Sequence, residues 1–168
     1  MTPEWLPAPL RFSGSSVEND YRKLFEVFEN DFINSSRAIV DGYEVLVNSS
    51  SDPSVMGGVY TYGFTHLVTH GDEDRAIDYD RAVKLPWVRA ILDNYTEPEV
   101  TAFCVDQPKG ETMYLWLADE DFVVTLRALK SKKERELNPR KIIVTAYHVY
   151  SYGRKDLQRL YGRSTRQL

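Results

Sequence analysis

The sequence is poor in cysteine and histidine, and it has no long apolar run. Its one cysteine, Cys104, excludes an intramolecular disulfide framework and a zinc ribbon. So low a cysteine content is typical of proteins from a reducing compartment. No run approaches the roughly 18 apolar residues that a membrane-spanning helix requires. The opening residues MTPEWLPAPLRF lack the basic and apolar stretches of a secretory leader. We therefore expect a cytoplasmic protein that starts at Met1 and has no membrane partner.

Motifs that bind metals or nucleotides are also missing. The chain contains no HExxH or CxxC, no GxxxxGK[ST] or GxGxxG loop, and no GxSxG nucleophile elbow. His66 and His70 are four residues apart, but their neighbours are typical of a strand, which would separate them by about 13 Å along the chain. The sequence therefore predicts neither a metal site nor a bound cofactor.

Length and composition favour one globular domain over residues 1–168. The chain is 42% hydrophobic and 12% aromatic, enough to build a single packed core at a length of 168 residues. Residues 1–14 are expected to form an irregular arm, because its prolines fix φ and remove hydrogen-bond donors.

Apolar periodicity predicts three helical regions. A helix over 17–33 follows an N-cap at Ser15 or Ser16, because its apolar residues recur at spacings of three and four. A central helix through Leu92, capped by carboxylates at 78 and 80, is expected to be kinked or divided at Pro86. A short amphipathic helix around Leu157 should end the chain.

The remaining apolar segments are typical of strands. Asp41-Gly42 indicates either a tight turn between two short strands or a bulge within one strand. The segments predicted to be strands are 38–40, 43–47, 56–68, 99–106, 112–118, 121–129 and 142–150. Helices followed by strands with short connections predict an α+β fold with a mainly antiparallel sheet.

Charge is distributed unevenly along the chain. Residues 1–121 hold 9 Lys and Arg against 22 Asp and Glu, whereas residues 122–168 hold 12 against 3. Such asymmetry suits a surface that binds a polyanion such as nucleic acid, or an acidic protein. The alternative is that the two parts neutralise each other across the fold. Basic residues that are candidates for RNA contacts are Lys84, Lys130, Lys132, Lys133, Arg140 and Lys141.

The polar residues that remain suit a metal-free site for RNA cleavage. Such a reaction requires a base for the 2′-OH proton, cations to neutralise the pentavalent phosphate, and a proton donor for the leaving 5′-oxygen. His titrates near neutral pH, Arg is a permanent cation, and Thr and Tyr hydroxyls can position a phosphate or donate a proton. The candidates for these roles are His66, Arg81, Arg127, Thr145 and Tyr147.

Strand alternation restricts which of these side chains can meet. Thr145 and Tyr147 share one face of a strand, whereas His148 should lie on the other, and we favour the face of Thr145 and Tyr147. A structural explanation is also open, since a lone His on a strand usually packs and Arg81 or Lys84 can be a solvated helix charge.

Five short strings in a fixed order resemble a known group of nucleases. They are GFTHLVT at 63–69, DRAVKLPW at 80–87, YLWL at 114–117, DFVVTL at 121–126 and VTAY at 144–147. In this order they are similar to the phage-associated branch of the barnase, EndoU, colicin and RelE-like nuclease superfamily, across residues 38–162. Lys84 stands where an Arg is commoner in that group, and the first 35 residues have no counterpart there.

The resemblance implies a helix-plus-antiparallel-sheet fold and metal-independent cleavage of RNA by 2′-OH attack, leaving a 2′,3′-cyclic phosphate. It also implies a toxin acting on tRNA or other cellular RNA, with an immunity or antitoxin protein as partner. His66 then matches the motif His, Arg81 the helix Arg, and Thr145 and Tyr147 the TAY-like strand. The alternative is a catalytically inactive protein of the same fold that binds nucleic acid or a protein, such as a phage or mobile-element accessory factor.

Overall fold

In the computed structural model, which describes residues 1–129 and 140–168, a curled seven-stranded sheet carries helices on both faces, and a separate small sheet has two strands. The strands are β1 Ile39–Val40, β2 Tyr43–Leu46, β3 Thr69–His70, β4 Ala76–Ile77, β5 Val100–Gln107, β6 Gly110–Leu117, β7 Phe122–Ala128, β8 Arg140–His148 and β9 Arg166–Gln167. The α-helices are α1 Val17–Phe28, α2 Tyr62–Val68, α3 Tyr79–Ala82, α4 Leu85–Asp93 and α5 Ser151–Gly162. In this described part, no helix is long and apolar enough to cross a bilayer.

The main sheet has seven strands in the order β1-β2-β8-β7-β6-β5-β9. Every neighbouring pair is antiparallel except β2 and β8, which run parallel. Asp41 and Gly42, with φ of 52° and 78°, form the tight turn between β1 and β2, in a conformation that glycine adopts without strain. The α+β class and the mainly antiparallel sheet expected from the sequence are confirmed.

A salt bridge joins the two edges of the curled sheet. Arg166 on β9 donates through Nη1 to the Asp41 carboxylate in the β1–β2 turn, at 2.6 Å. The sheet lies between two apolar clusters, one on each of its faces. The larger one packs α1, α2 and α4 against one sheet face, and the smaller one packs Leu157 of α5 against the other face through Phe103 and Trp116.

Three sequence-based expectations about helices are confirmed. Ser16 caps α1 by accepting a hydrogen bond from the Asn19 backbone, and a π-helical turn at Glu29–Ile33 continues the helix. Asp78 caps α3, and the central helix is divided into α3 and α4, with Pro86 in the first turn of α4 where its missing N–H costs nothing. The C-terminal helix spans twelve residues.

The strand expected at 56–68 is wrong, because this segment begins with a 3-10 turn and ends as α2. Phe64, Leu67 and Val68 follow helical spacing, and all three are buried in the larger cluster. Gly63 lets the first turn of α2 approach the backbone after β2: its N–H donates to the Asn48 carbonyl, and an added Cβ would lie 2.7 Å from that oxygen. Aromatic and β-branched composition was therefore a weaker signal than the apolar spacing.

Candidate functional site

Arg81 lies where α3 meets the end of α2. Its Nη1 donates to the carbonyl oxygens of His66, at 3.0 Å, and Thr69, at 3.1 Å. Arg75 also donates to the Thr69 carbonyl, so two guanidinium groups bind the carboxyl end of α2, where cations are stabilised. The side chain of Arg81 is thereby fixed in direction.

Arg81 also lines a pocket of about 230 Å³ at the end of β8. We call this the Arg81 pocket, and its lining residues are Asp78, Arg81, Tyr147, His148, Val149, Tyr150, Tyr152 and Gly153. Burial lowers the pKa of the guanidinium, an effect that Asp78 opposes, but an arginine stays protonated at neutral pH. Its Nε is buried and has no hydrogen-bond partner among the described residues.

His66 is on α2 and lines a separate cleft of about 220 Å³. This His66 cleft is bounded by Asn48, Tyr62, Gly63, His66, Leu67, Ile142, Ile143 and Val144. The imidazole is half-buried and meets the Tyr62 ring edge-on, with ring centroids 5.5 Å apart. The cleft is mostly apolar, and Arg81 connects it to the Arg81 pocket through the His66 carbonyl.

The surroundings of His66 favour its neutral form. Burial lowers the pKa of the imidazole, and the positive charges of Arg75 and Arg81 lower it further, while Asp52 acts in the opposite direction. A histidine that is neutral at pH 7 has a ring nitrogen free to accept a proton. The lowered pKa therefore leaves the imidazole able to accept a proton, although it also makes it a weaker base than an exposed histidine.

Asp52 fixes the loop that precedes α2. Its carboxylate is fully buried and accepts hydrogen bonds from the backbone and hydroxyl of Ser54 and from the hydroxyl of Thr65 on α2, at 2.5 to 3.0 Å. Burial alone would raise the pKa of Asp52, but these hydrogen bonds hold it below its usual value. Asp52 therefore holds Thr65, the immediate neighbour of His66, although no motif in the sequence points to this aspartate.

The two faces of β8 meet at the Arg81 pocket. The expectation that Tyr147 and His148 cannot share one cleft is wrong, because β8 ends at His148 and both residues line the pocket. Burial raises the pKa of Tyr147, which keeps its hydroxyl protonated at neutral pH. Lys84 Nζ lies 2.9 Å from His148 Nδ1, and burial lowers the pKa of this lysine.

The other two candidate catalytic residues lie away from the Arg81 pocket. Thr145 is half-buried on β8, where its carbonyl accepts a hydrogen bond from Thr125. Arg127 lies on β7 opposite Ile142, whereas Tyr147 pairs with Val123, four residues away, or about 13 Å along the strand. The fold thus brings His66, Arg81 and Tyr147 to adjoining cavities and leaves Arg127 outside them.

Lys141 is not an accessible RNA contact. Its side chain is 2% exposed, lies 4.7 Å from the Tyr43 ring centroid and 4.0 Å from Glu111, and burial lowers its pKa. Its ammonium group lies close enough to Glu111, Asp41 and Arg166 for their charges to act on it. Arg140 is half-buried, and the predicted contacts Lys130, Lys132 and Lys133 lie outside the described residues.

Part of the charge asymmetry is neutralised across the fold. Arg154 bonds to Asp121, and Arg166 bonds to Asp41 and Glu111, so basic residues of the last part of the chain pair with acidic residues of the first part. The mutual neutralisation considered as an alternative is therefore present at these positions.

No group of three or more metal-ligating side chains occurs within residues 1–129 and 140–168. A comparison with protein-family models gives no match, and comparisons with curated proteins and with solved structures give none either.

Proposed function

We propose that this protein is a metal-independent ribonuclease that cleaves RNA by attack of the 2′-OH on the adjacent phosphate. One observation carries the proposal: Arg81 bonds to the backbone of His66 while its side chain lines the same pocket as Tyr147 and His148. The base candidate thus lines the His66 cleft, while the fixed cation, whose charge acts on the imidazole, shares the Arg81 pocket with the hydroxyl donor. The resemblance of the GFTHLVT, DRAVKLPW and VTAY strings to the phage-associated nuclease group supports the same reaction.

In this mechanism His66 accepts the proton of the 2′-OH, since burial and two arginines favour its neutral form. The 2′-oxygen then attacks phosphorus, the bond to the 5′-oxygen breaks, and a 2′,3′-cyclic phosphate remains. Arg81 neutralises the charge that develops on the pentavalent phosphate. The Tyr147 hydroxyl donates to the leaving 5′-oxygen, with the Lys84 ammonium, which is bonded to His148, as a further cation.

The test compares two histidines of one segment. We expect purified wild-type chain to cleave single-stranded RNA and the His66→Asn variant to be slower by on the order of 10²- to 10⁴-fold, the usual contribution of one general base. His70→Asn is the matched control, because His70 is exposed and lines neither cavity. Equal rates for all three proteins would refute the assignment of His66.

A second candidate function is RNA or protein binding without catalysis. The largely apolar lining of the His66 cleft favours it, since Tyr62 is the one other titratable side chain among its lining residues. RNA that binds but stays intact with wild-type protein would support this candidate over the ribonuclease.

The proposal extends to a cytoplasmic toxin whose substrate is tRNA or another cellular RNA and which an immunity or antitoxin protein restrains. Its test is induced expression in a bacterial host. Wild-type chain should arrest growth and His66→Asn should not, at equal soluble protein level, whereas equal arrest by both would contradict the toxin.

A further inference from the structure

A row of three aromatic rings leads out of the Arg81 pocket. His148 meets Tyr150 edge-on, with ring centroids 4.7 Å apart, and Tyr150 stacks on Tyr152, with centroids 6.0 Å apart and an interplanar angle of 13°. All three residues line the pocket. The row therefore connects the fixed guanidinium of Arg81 with the surface.

The last ring of the row is unusually exposed. Tyr152 is 74% exposed, whereas the other exposed tyrosines Tyr79, Tyr150 and Tyr161 are between 37% and 45% exposed. Tyr152 lies in the first turn of α5, and Tyr150 is its one ring partner among the described residues. A large aromatic face is thus open to solvent at the mouth of a cationic pocket.

We propose that Tyr152, supported by Tyr150, is a stacking platform for one unpaired base, so that the substrate is single-stranded RNA. This inference rests on the proposed function, because it takes the phosphate at Arg81 as its reference point. Aromatic side chains stack on any base, since every base has a π face, and a base within a duplex is already stacked on its neighbours.

Charge around the row fits a nucleotide whose phosphate lies inward and whose base lies outward. Arg81 and Lys84 are at the inner end, with Lys84 bonded to His148. Carboxylates are also nearby, and each has a partner: Asp80 accepts from the Tyr150 hydroxyl, and Asp78 accepts from the Arg81 backbone and lies 3.9 Å from His70. Glu120 and Asp121, whose charges act on Lys84, accept from Thr2 and Arg154. The Asp80 bond also fixes the Tyr150 ring beneath Tyr152.

The experiment measures equilibrium binding of a short unpaired RNA by fluorescence anisotropy, in the His66→Asn background so that the RNA stays intact. Adding Tyr152→Ala should weaken binding by about 5- to 150-fold, the range for one base stacked on an aromatic ring. Tyr152→Phe should retain the affinity, because the ring remains. Tyr161→Ala is the matched control, since Tyr161 lies on the same helix outside the Arg81 pocket.

A second arm separates base stacking from other roles of Tyr152. A set of RNAs carries one abasic nucleotide each, at successive positions along the strand. At one position, the missing base should weaken binding to the protein that retains Tyr152. The same RNA should bind the Tyr152→Ala variant as tightly as intact RNA does. A blunt RNA duplex should bind with the same affinity whether residue 152 is Tyr or Ala. Additive losses at every abasic position, or an equal effect of Tyr152→Ala on the duplex, would overturn the platform.

The outcomes also distinguish this inference from the proposed function. If the wild-type protein cleaves RNA but Tyr152→Ala does not change RNA affinity, the stacking platform alone is overturned. The exposed tyrosines would then be assigned to contact with a protein partner. Tyr152-dependent binding without cleavage would support the platform and contradict the ribonuclease. Absence of any RNA binding would overturn both.

Discussion

Arg81 Nη1 lies 3.0 Å from the carbonyl oxygen of His66, so the backbone of the candidate base and the candidate cation are hydrogen-bonded to each other. The same Nη1 also bonds to the Thr69 carbonyl. A substitution at Arg81 therefore affects both the end of α2 and the charge in the Arg81 pocket.

Arg81→Lys tests this double role. We expect the free energy of unfolding to fall by about 1–3 kcal/mol, because an ammonium group cannot reproduce the guanidinium geometry at two partly buried carbonyls. RNA cleavage should fall as well. Urea unfolding and a cleavage assay measure the two effects, with exposed Arg22→Lys as control. Unchanged stability would contradict the hydrogen-bonding role of Arg81.

Residue pattern was enough to predict much of the fold. Apolar spacing predicted α1, Pro86 predicted the division of the central helix, and alternation with turn residues predicted β5, β6 and β7. These signals depend on residues that are close together along the chain, so a single sequence is enough to read them. The strand predicted over the α2 segment was wrong because Tyr, Thr and Val are typical of strands. The close contact of Gly63 with Asn48 depends on tertiary packing, which composition does not show.

The candidate site was predictable in part. His66, Arg81 and Tyr147 were candidates by chemistry, but local sequence carries no sign of how three elements meet, nor of the buried Asp52 that holds Thr65. Lys141 was misjudged because the curl of the sheet decides which face of β8 is interior. The position of His148 in the same pocket as Tyr147 was not expected, because alternation no longer separates two side chains where a strand ends.

The pKa direction of His66 predicts an acid-side loss of stability. Burial, Arg75 and Arg81 hold the folded-state pKa below the ordinary value of about 6.5, so the unfolded chain takes up the proton first as pH falls. The contribution of His66 is therefore full above about pH 6.5 and is lost below it. His66→Asn should lose less stability than wild type between pH 7 and 5 in urea titrations. Parallel losses would refute the pKa direction.

Asp52→Asn should destabilise the protein by about 1–3 kcal/mol at neutral pH, since three donors lose a charged acceptor. The pKa of Asp52 is lowered in the folded state, so its contribution is present above the unfolded pKa of about 3.9 and is lost as pH falls through the folded pKa. The difference from wild type should shrink in acid. Asp72→Asn, in an exposed loop, should change stability little.

Lys141→Met and Lys84→Met should differ in their effect on RNA. We expect Lys84→Met to weaken RNA binding and Lys141→Met to leave it unchanged, because the Lys141 side chain is buried. The lowered pKa of Lys141 also implies that wild type gains stability relative to Lys141→Met as pH rises towards about 10.4, where the unfolded chain still binds the proton. A loss of RNA affinity in Lys141→Met comparable to that in Lys84→Met would contradict the buried position.

Attack by the 2′-OH without a metal ion is tested by cleavage of a matched pair of RNAs. Wild-type chain is incubated in excess EDTA with a single-stranded RNA, and with the same RNA carrying one 2′-deoxy nucleotide at the mapped cut site. We expect cleavage of the first RNA to a 2′,3′-cyclic phosphate end and no cleavage of the second at that position, because the nucleophile is missing. Cleavage that stops in EDTA, or that cuts the deoxy-substituted position equally well, would contradict it.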